Sequence, residues 1–212
     1  GMEFALLLTL PAAAALLVIA MPIVTVLFER GAFGPAETRA TADALMAYAT
    51  GLPAYVLIRV LTPGFFARDD TSTPVKIAAV GLVVNIVLNL FLMKVWGHVG
   101  IALASSVAAW VNAAALAVVL KRRGQLAIDD RLAQRGPKIV VASAGMAAGL
   151  FAGERLIAPV CAGPCAAHIP ALVILIFGGM VVFGGLVYIL GAWHWSDLKA
   201  LRRGGSEEAG DA

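Results

Sequence analysis

Charged residues are scarce in this 212-residue sequence. Asp, Glu, Lys and Arg make up 14% of it and hydrophobic residues make up 61%, whereas soluble domains average about 25% charged residues. So little charge excludes an ordinary water-soluble domain. Crossing a bilayer takes about 20 mostly apolar residues. Six runs are long enough, at 4–28, 40–66, 75–95, 98–120, 138–158 and 169–195.

Groups that carry out chemistry are scarce as well. The three His residues are scattered, no nucleophile–base pair is visible, and the chain has no Gly-rich loop of the Walker type. The sequence therefore predicts a protein that is not an enzyme, with no cofactor, no metal and no nucleic-acid partner.

Only two cysteines are present, Cys161 and Cys165, in the stretch CAGPC. An oxidising compartment would permit a disulfide between them. The alternative is a pair of unlinked small residues in a tight Gly-Pro loop. A zinc site would need more ligands than the nearby His168 supplies.

The six runs predict an all-α fold, a polytopic membrane bundle of six transmembrane helices. Helices satisfy their own backbone hydrogen bonds, which lipid cannot do, and no run shows the alternation of an outer-membrane barrel strand. Composition divides the chain into a four-helix unit at 1–120, a cytoplasmic linker at 121–137, a two-helix appendix at 138–198 and a disordered cytoplasmic tail at 199–212.

Basic residues are distributed unevenly between the two sides of the predicted bundle. Of the 16 Lys and Arg residues, 11 fall in the even-numbered loops and the C-terminal segment, four fall in the odd-numbered loops, and Arg59 lies inside a span. Because positive charge stays on the cytoplasmic side, we expect both termini in the cytoplasm.

A polar stripe runs along the second predicted span. Its members recur at helical spacing, so they share one face; they are Thr41, Tyr48, Tyr55, Arg59, Thr62 and Phe66. Arg59 is the most informative residue of the stripe, because a charge inside a bilayer is costly. Either Arg59 bonds to carbonyls of a neighbouring helix, or it lines a polar cavity that binds an anion, together with Tyr55 and Thr62.

Three asparagines lie within the third and fourth predicted spans. Asn85 and Asn89 stack one helical turn apart, and Asn112 shares a face with Ser105. Such amides either join helices by hydrogen bonds or line the same substrate cavity as Arg59.

The stretch FFARDDTSTPVK at 65–76 interrupts the apolar chain and predicts a cytoplasmic hinge. Thr73 followed by Pro74 is typical of a helix start, with Thr as the N-cap. Capping needs only one of the polar groups, so Arg68, Asp69 and Asp70 are predicted to form a salt-bridged gate.

Four stretches together resemble one family: FERGAFGPAET at 28–38, LTPGFFARDDTSTPVKIA at 61–78, NIVLNLFL at 85–92 and GHVGIALASSVAAWVN at 97–112. They are similar to the C-terminal portion of the MurJ/MviN lipid II flippases, members of the MOP exporter superfamily. The resemblance is strong over about residues 1–125. Arg59 falls where the family pattern has a cation before Val-Leu-x-Pro-Gly-Phe.

The resemblance implies a MATE-like fold of two lobes, of which this chain holds the end of the second lobe and the two appended helices. It implies alternating access in the bacterial inner membrane, with lipid II as the substrate. The chain's partners would then be lipid II, membrane lipids and the missing N-terminal helices of the same protein.

Three alternatives stay open at this point. One is another exporter of the superfamily, for drugs or O-antigen lipids, and a second is a membrane fragment that only packs or recruits partners. The third is an enzyme acting on polyprenyl phosphates; its only candidate acidic pair, Asp69 and Asp70, lacks the second acidic motif of a magnesium-pyrophosphate site.

Overall fold

A computed structural model describes residues 2–124, 130–157 and 168–190. All regular elements in these ranges are helices, so the predicted all-α class is confirmed. They are α1 (Met2–Phe28), α2 (Pro35–Ala49), α3 (Leu52–Leu61), α4 (Pro63–Phe66), α5 (Ser72–Arg122), α6 (Asp130–Ile157) and α7 (His168–Ile189). The cysteines at 161 and 165 and the tail at 199–212 lie outside the described residues, and their predictions stay predictions.

Prolines bend the first two predicted spans. Helix α1 has non-helical dihedral angles at Ile19, three residues before Pro22, because a proline cannot donate the backbone hydrogen bond that continues a helix. The predicted span at 40–66 consists of three helices instead of one, and Pro53 and Pro63 stand in the first turns of α3 and α4.

Helix α5 folds back on itself as a hairpin. Gly97 has a φ of 57° and a ψ of −128°, a backbone conformation that glycine adopts readily. The side chains of Asn85 and Ser105 are hydrogen-bonded at 3.3 Å, although 20 residues of straight helix would separate them by about 30 Å. Residues 72–96 and 98–122 are therefore two antiparallel arms.

Within the described ranges, five helical elements are long and apolar enough to cross a membrane, one fewer than the predicted six. The counts differ because the turn at Gly97 is so short that Ser72–Arg122 is one continuous helical element. The predicted third and fourth spans are the two arms of this one element.

Helix α1 is the central helix of the bundle and packs against α2, α3, α6 and α7. Its contact with the last two helices is an apolar cluster of Ile19, Met146, Leu150, Leu172 and Leu175. An ion pair of 3.4 Å between Glu3 and Arg135 joins the first turn of α1 to α6.

Helix α6 begins inside the segment predicted as linker. The division into a unit at 1–120 and an appendix at 138–198 stays a prediction.

Candidate functional site

The polar stripe lies on the open face of α2, α3 and α4. Tyr48, Tyr55 and Phe66 are 43%, 41% and 51% exposed, and Thr41 and Arg59 are exposed as well. Thr62 differs, because it is half-buried and its hydroxyl donates to the Ile58 carbonyl of its own helix at 2.7 Å. Apart from Thr62, the stripe is thus a surface that the described part of this chain leaves exposed.

Arg59 stands in the last turn of α3. Within the described part of the chain, its guanidinium makes no hydrogen bond or ion pair, and the residue is exposed. One interpretation of the sequence had Arg59 bonded to carbonyls of a neighbouring helix. No such bond is found among the described residues. The positive charge of Arg59 therefore lies on the exposed surface of α3.

The three predicted asparagines lie at the seam between the two arms of α5. Asn89 donates to the side-chain oxygen of Asn85 at 2.5 Å, and Asn85 donates to the Ser105 hydroxyl. Tyr55 connects this seam to α3, because its hydroxyl donates to the Ser105 carbonyl at 3.3 Å. Asn112 packs against Gly81 in the facing arm. Asn85 thus joins the two arms through Ser105, the residue that Tyr55 of the stripe also contacts.

The break between α2 and α3 involves two side chains that the sequence analysis did not single out. Ser106 is buried and donates to the Ala47 carbonyl at 2.8 Å, and the Trp110 indole donates to the Thr50 carbonyl at 2.9 Å. A break in a helix leaves carbonyls without their usual partners. Both donors come from the second arm of α5, so that arm stabilises the broken helix.

A hairpin clasp, formed by Asp70, Thr73 and Arg123, joins the two ends of α5. Arg123 contacts the Asp70 carboxylate at 2.6 Å and the Thr73 hydroxyl at 3.2 Å. Its guanidinium also lies 5.8 Å from the centre of the Phe65 ring, within the range of a cation–π contact. The clasp therefore holds α4 and both arms of α5 together.

Asp70, and not Thr73, caps α5. The Asp70 carboxylate accepts hydrogen bonds from the Thr73 backbone N–H at 3.0 Å and from the Thr73 hydroxyl at 2.7 Å. The predicted N-cap was wrong by a few residues, because α5 already begins at Ser72 and a carboxylate is the stronger acceptor. Pro74 is buried in the first turn, where a proline is tolerated.

Arg68 and Asp69 do not join the clasp. Arg68 donates to the Gly64 carbonyl of the preceding turn at 3.0 Å, so the predicted ion pair between Arg68 and an aspartate is absent from the described residues. Asp69 has a φ of 56°, a left-handed conformation that Asp tolerates better than most residues. Asp69 thus turns the chain after α4, and Asp70 starts α5.

The hydrogen bonds from Thr73 and Arg123 hold the pKa of the Asp70 carboxyl well below its usual range. Hydrogen bonds and a nearby cation both favour the charged form of a carboxyl. Asp70 is therefore ionised at every physiological pH. The sequence analysis did not single out Arg123 as a member of this site. In the sequence it is only the last of three consecutive basic residues, after Lys121 and Arg122.

Together, the long apolar helices, the proline-broken second span and the polar seam define an integral membrane protein built as a multi-span helical bundle. A family model described as "Lipid II flippase MurJ" matches residues 1–160. The chain belongs to this family, and the resemblance drawn from its motifs is confirmed.

Relatives in other bacteria carry the same description. The chain is 43% identical over 209 residues to the probable lipid II flippase MurJ of Rhizobium meliloti (strain 1021), covering 97% of this chain and 39% of that protein. It is 46% identical over 146 residues to the probable lipid II flippase MurJ of Rhizobium tropici, covering 69% of this chain and 27% of that protein. The chain thus spans well under half the length of these relatives.

A solved structure supports the same fold. The structure described as "Lipid II flippase MurJ, inward closed conformation" superposes with a TM-score of 0.67 at 23% sequence identity, and the match covers 89% of this chain and 38% of that one. At this identity the structural similarity supports the fold alone. The roles of individual residues have to be argued from the chain itself.

Proposed function

We propose that this chain is the C-terminal part of a transporter that moves lipid II from the inner to the outer leaflet of the bacterial cytoplasmic membrane. The family match over residues 1–160 carries the proposal. No bond is made or broken in such a translocation, so the protein is a transporter and not an enzyme. The distribution of basic residues supports an orientation with both termini in the cytoplasm.

In this proposal the polar stripe lines the substrate path. Lipid II carries a pyrophosphate, which needs cations, and a polar headgroup, which needs a wet surface. Arg59 supplies an exposed positive charge, Tyr55 stands one turn before it on α3, and Tyr48 on α2 is exposed as well. The N-terminal helices of the same protein would form the opposite wall. Asn85 and Asn112 act here as contacts between the two arms of α5, and Asn89 supports Asn85 from within its own arm.

The hairpin clasp is the fixed cytoplasmic end of the moving part. Alternating access is largely a rigid-body motion of one group of helices against another. Asp70, Thr73 and Arg123 tie α4 to both arms of α5, so these helices move as one body. Asp69 gives the chain its turn beside the clasp, and Arg68 donates a hydrogen bond to the Gly64 carbonyl of α4.

A chimera tests the proposal. Residues 1–160 of this chain replace the matching residues of the Rhizobium meliloti relative, and the chimera is expressed while the host's own lipid II flippase is depleted. We expect growth to continue, because the replaced part retains its family role. A chimera that reaches the membrane at the normal level but does not sustain growth would refute the proposal.

A further inference from the structure

The second arm of α5 crosses the break between α2 and α3 and contacts both helices. On the α2 side, Ser106 donates a hydrogen bond to the Ala47 carbonyl at 2.8 Å. On the α3 side, Ala54 is fully buried in a cluster with Ala109 and Ala113 of the arm. The arm therefore connects the two halves of the broken span.

The break itself is a weak point in an otherwise helical backbone. Pro53 has no N–H to donate to the Ala49 carbonyl one turn earlier, and such a missing bond allows a helix to bend. Thr50 and Gly51 nevertheless keep right-handed helical dihedral angles, with φ and ψ of −63° and −25° and of −88° and −17°. Something outside the two helices has to keep the break in this conformation.

The Ser106 hydrogen bond does more than satisfy a carbonyl that the break has freed. The Thr50 hydroxyl of the same turn already donates to the Ala47 carbonyl at 2.7 Å, so this carbonyl has a partner without Ser106. The second donor comes from another helix and is only 1% exposed, where water cannot replace it. Its hydrogen bond therefore ties α2 to α5.

The backbone of the break lies directly on this arm. A Cβ built on Gly51 would lie 2.6 Å from the Ser106 Oγ and 2.9 Å from the Ser106 Cα, so a residue with a side chain does not fit without a shift of the backbone. One turn further along the arm, the Trp110 indole donates to the Thr50 carbonyl at 2.9 Å. Lipid offers no donor that could replace it. The two donors thus hold the end of α2 at two points.

We infer that Ser106 and Trp110 are positioning residues, which hold α2 and α3 in one fixed orientation so that the proline break does not act as a hinge. Tyr48 on α2 and Arg59 on α3 are 11 residues apart, about three helical turns. They share a face only while this orientation is kept. The importance of that face for transport rests on the proposed function, whereas the fixed orientation does not.

The test is the distance between two spin labels in the purified full-length parent, measured by pulsed electron paramagnetic resonance. Labels on Thr41→Cys and Arg59→Cys, with all native cysteines replaced by serine, lie on either side of the break. Their 18 residues of separation correspond to about 27 Å of helix. We expect one narrow distance in the parent. The variant with both Ser106→Ala and Trp110→Phe should show a broader distribution with a second, shorter distance, because the released break bends.

Two matched controls remove the same chemical groups elsewhere. Trp96→Phe removes an exposed indole that donates no hydrogen bond among the described residues, and Ser143→Ala removes a buried hydroxyl that has no partner there. Both controls should keep the single distance of the parent. The inference is overturned if the parent itself shows two distances, or if the variant that lacks both donors keeps the distribution of the parent.

Transport by the unlabelled proteins separates this inference from the proposed function. At equal expression, the variant that lacks both donors should move lipid II more slowly than the parent and the two controls. A second distance in this variant together with transport at the parent rate would overturn the role of Ser106 and Trp110 in the substrate path. A parent that shows the expected distances but does not transport lipid II would refute the proposed function and leave the fixed orientation standing.

Discussion

Asp70 and Arg123 are 53 residues apart in the chain and lie 2.6 Å apart in the structure. This contact closes the open end of the hairpin whose other end is the turn at Gly97. The same carboxylate caps the first turn of α5 through the Thr73 N–H. The Asp70 side chain thus caps the start of α5 and contacts Arg123 at the other end of the same helix.

The first prediction separates the clasp from the rest of its loop. Asp70→Asn keeps an acceptor for the cap but removes the charge that Arg123 contacts, so we expect a lower melting temperature. Asp69→Asn should leave the melting temperature nearly unchanged, because asparagine also tolerates the left-handed turn. Thermal unfolding of the purified full-length variants measures both.

A double-mutant cycle assigns the effect to the pair. Arg123→Gln alone should lower the melting temperature, and the double variant with Asp70→Asn should lower it by less than the sum of the single changes. Arg122→Gln is the control, since this exposed neighbour has no role in the clasp. Strict additivity of Asp70→Asn and Arg123→Gln would contradict the direct contact.

The second prediction concerns pH. Because the pKa of Asp70 is lowered in the folded protein, its contribution to stability is complete above the unfolded pKa of about 3.9 and is lost as the pH falls toward the folded value. The difference in melting temperature between the parent and Asp70→Asn should therefore stay constant from about pH 5 to 8 and shrink below about pH 4. A difference that changes near neutral pH would assign the effect to another group.

The third prediction tests the hairpin. A Cβ built on Gly81 lies 3.5 Å from the Cβ of Asn112, a separation suited to a disulfide. Cysteines placed there, with Cys161 and Cys165 replaced by serine, should cross-link under mild oxidation. A straight helix would hold these positions about 46 Å apart. Gly81→Cys with Val118→Cys is the control pair and should not cross-link within one molecule.

The fourth prediction concerns Arg59. Arg59→Lys should retain much of the transport activity of a full-length parent, because it keeps the charge while losing the forked geometry. Arg59→Met should lose most of the activity at normal expression and melting temperature, because the exposed guanidinium has no described partner to lose. Complementation of flippase depletion measures the activity, and full complementation by Arg59→Met would remove Arg59 from the substrate path.

Local chemistry explains which parts of this fold were predictable. The first span was predicted at 4–28 and is Met2–Phe28, and Pro53 and Pro63 stand where the second span breaks. Apolar length and missing backbone donors are visible in the sequence itself. The predicted boundary between the third and fourth spans, at 95–98, falls at the Gly97 turn, which is so short that the two arms form one continuous helical element.

The sites were less predictable, because their contacts join distant parts of the chain. Asp70 was singled out, but its partner Arg123 was one of several cations in a basic run. Spacing along one helix cannot show such a contact.

The most direct test of the proposed function is lipid II translocation by purified protein. The chimera that carries residues 1–160 of this chain is reconstituted into proteoliposomes with labelled lipid II in the inner leaflet, and the fraction that becomes accessible to an impermeant reagent outside is followed over time. We predict a rate similar to that of the unmodified Rhizobium meliloti relative and well above that of protein-free liposomes. A correctly inserted chimera whose rate equals that of protein-free liposomes would contradict the account.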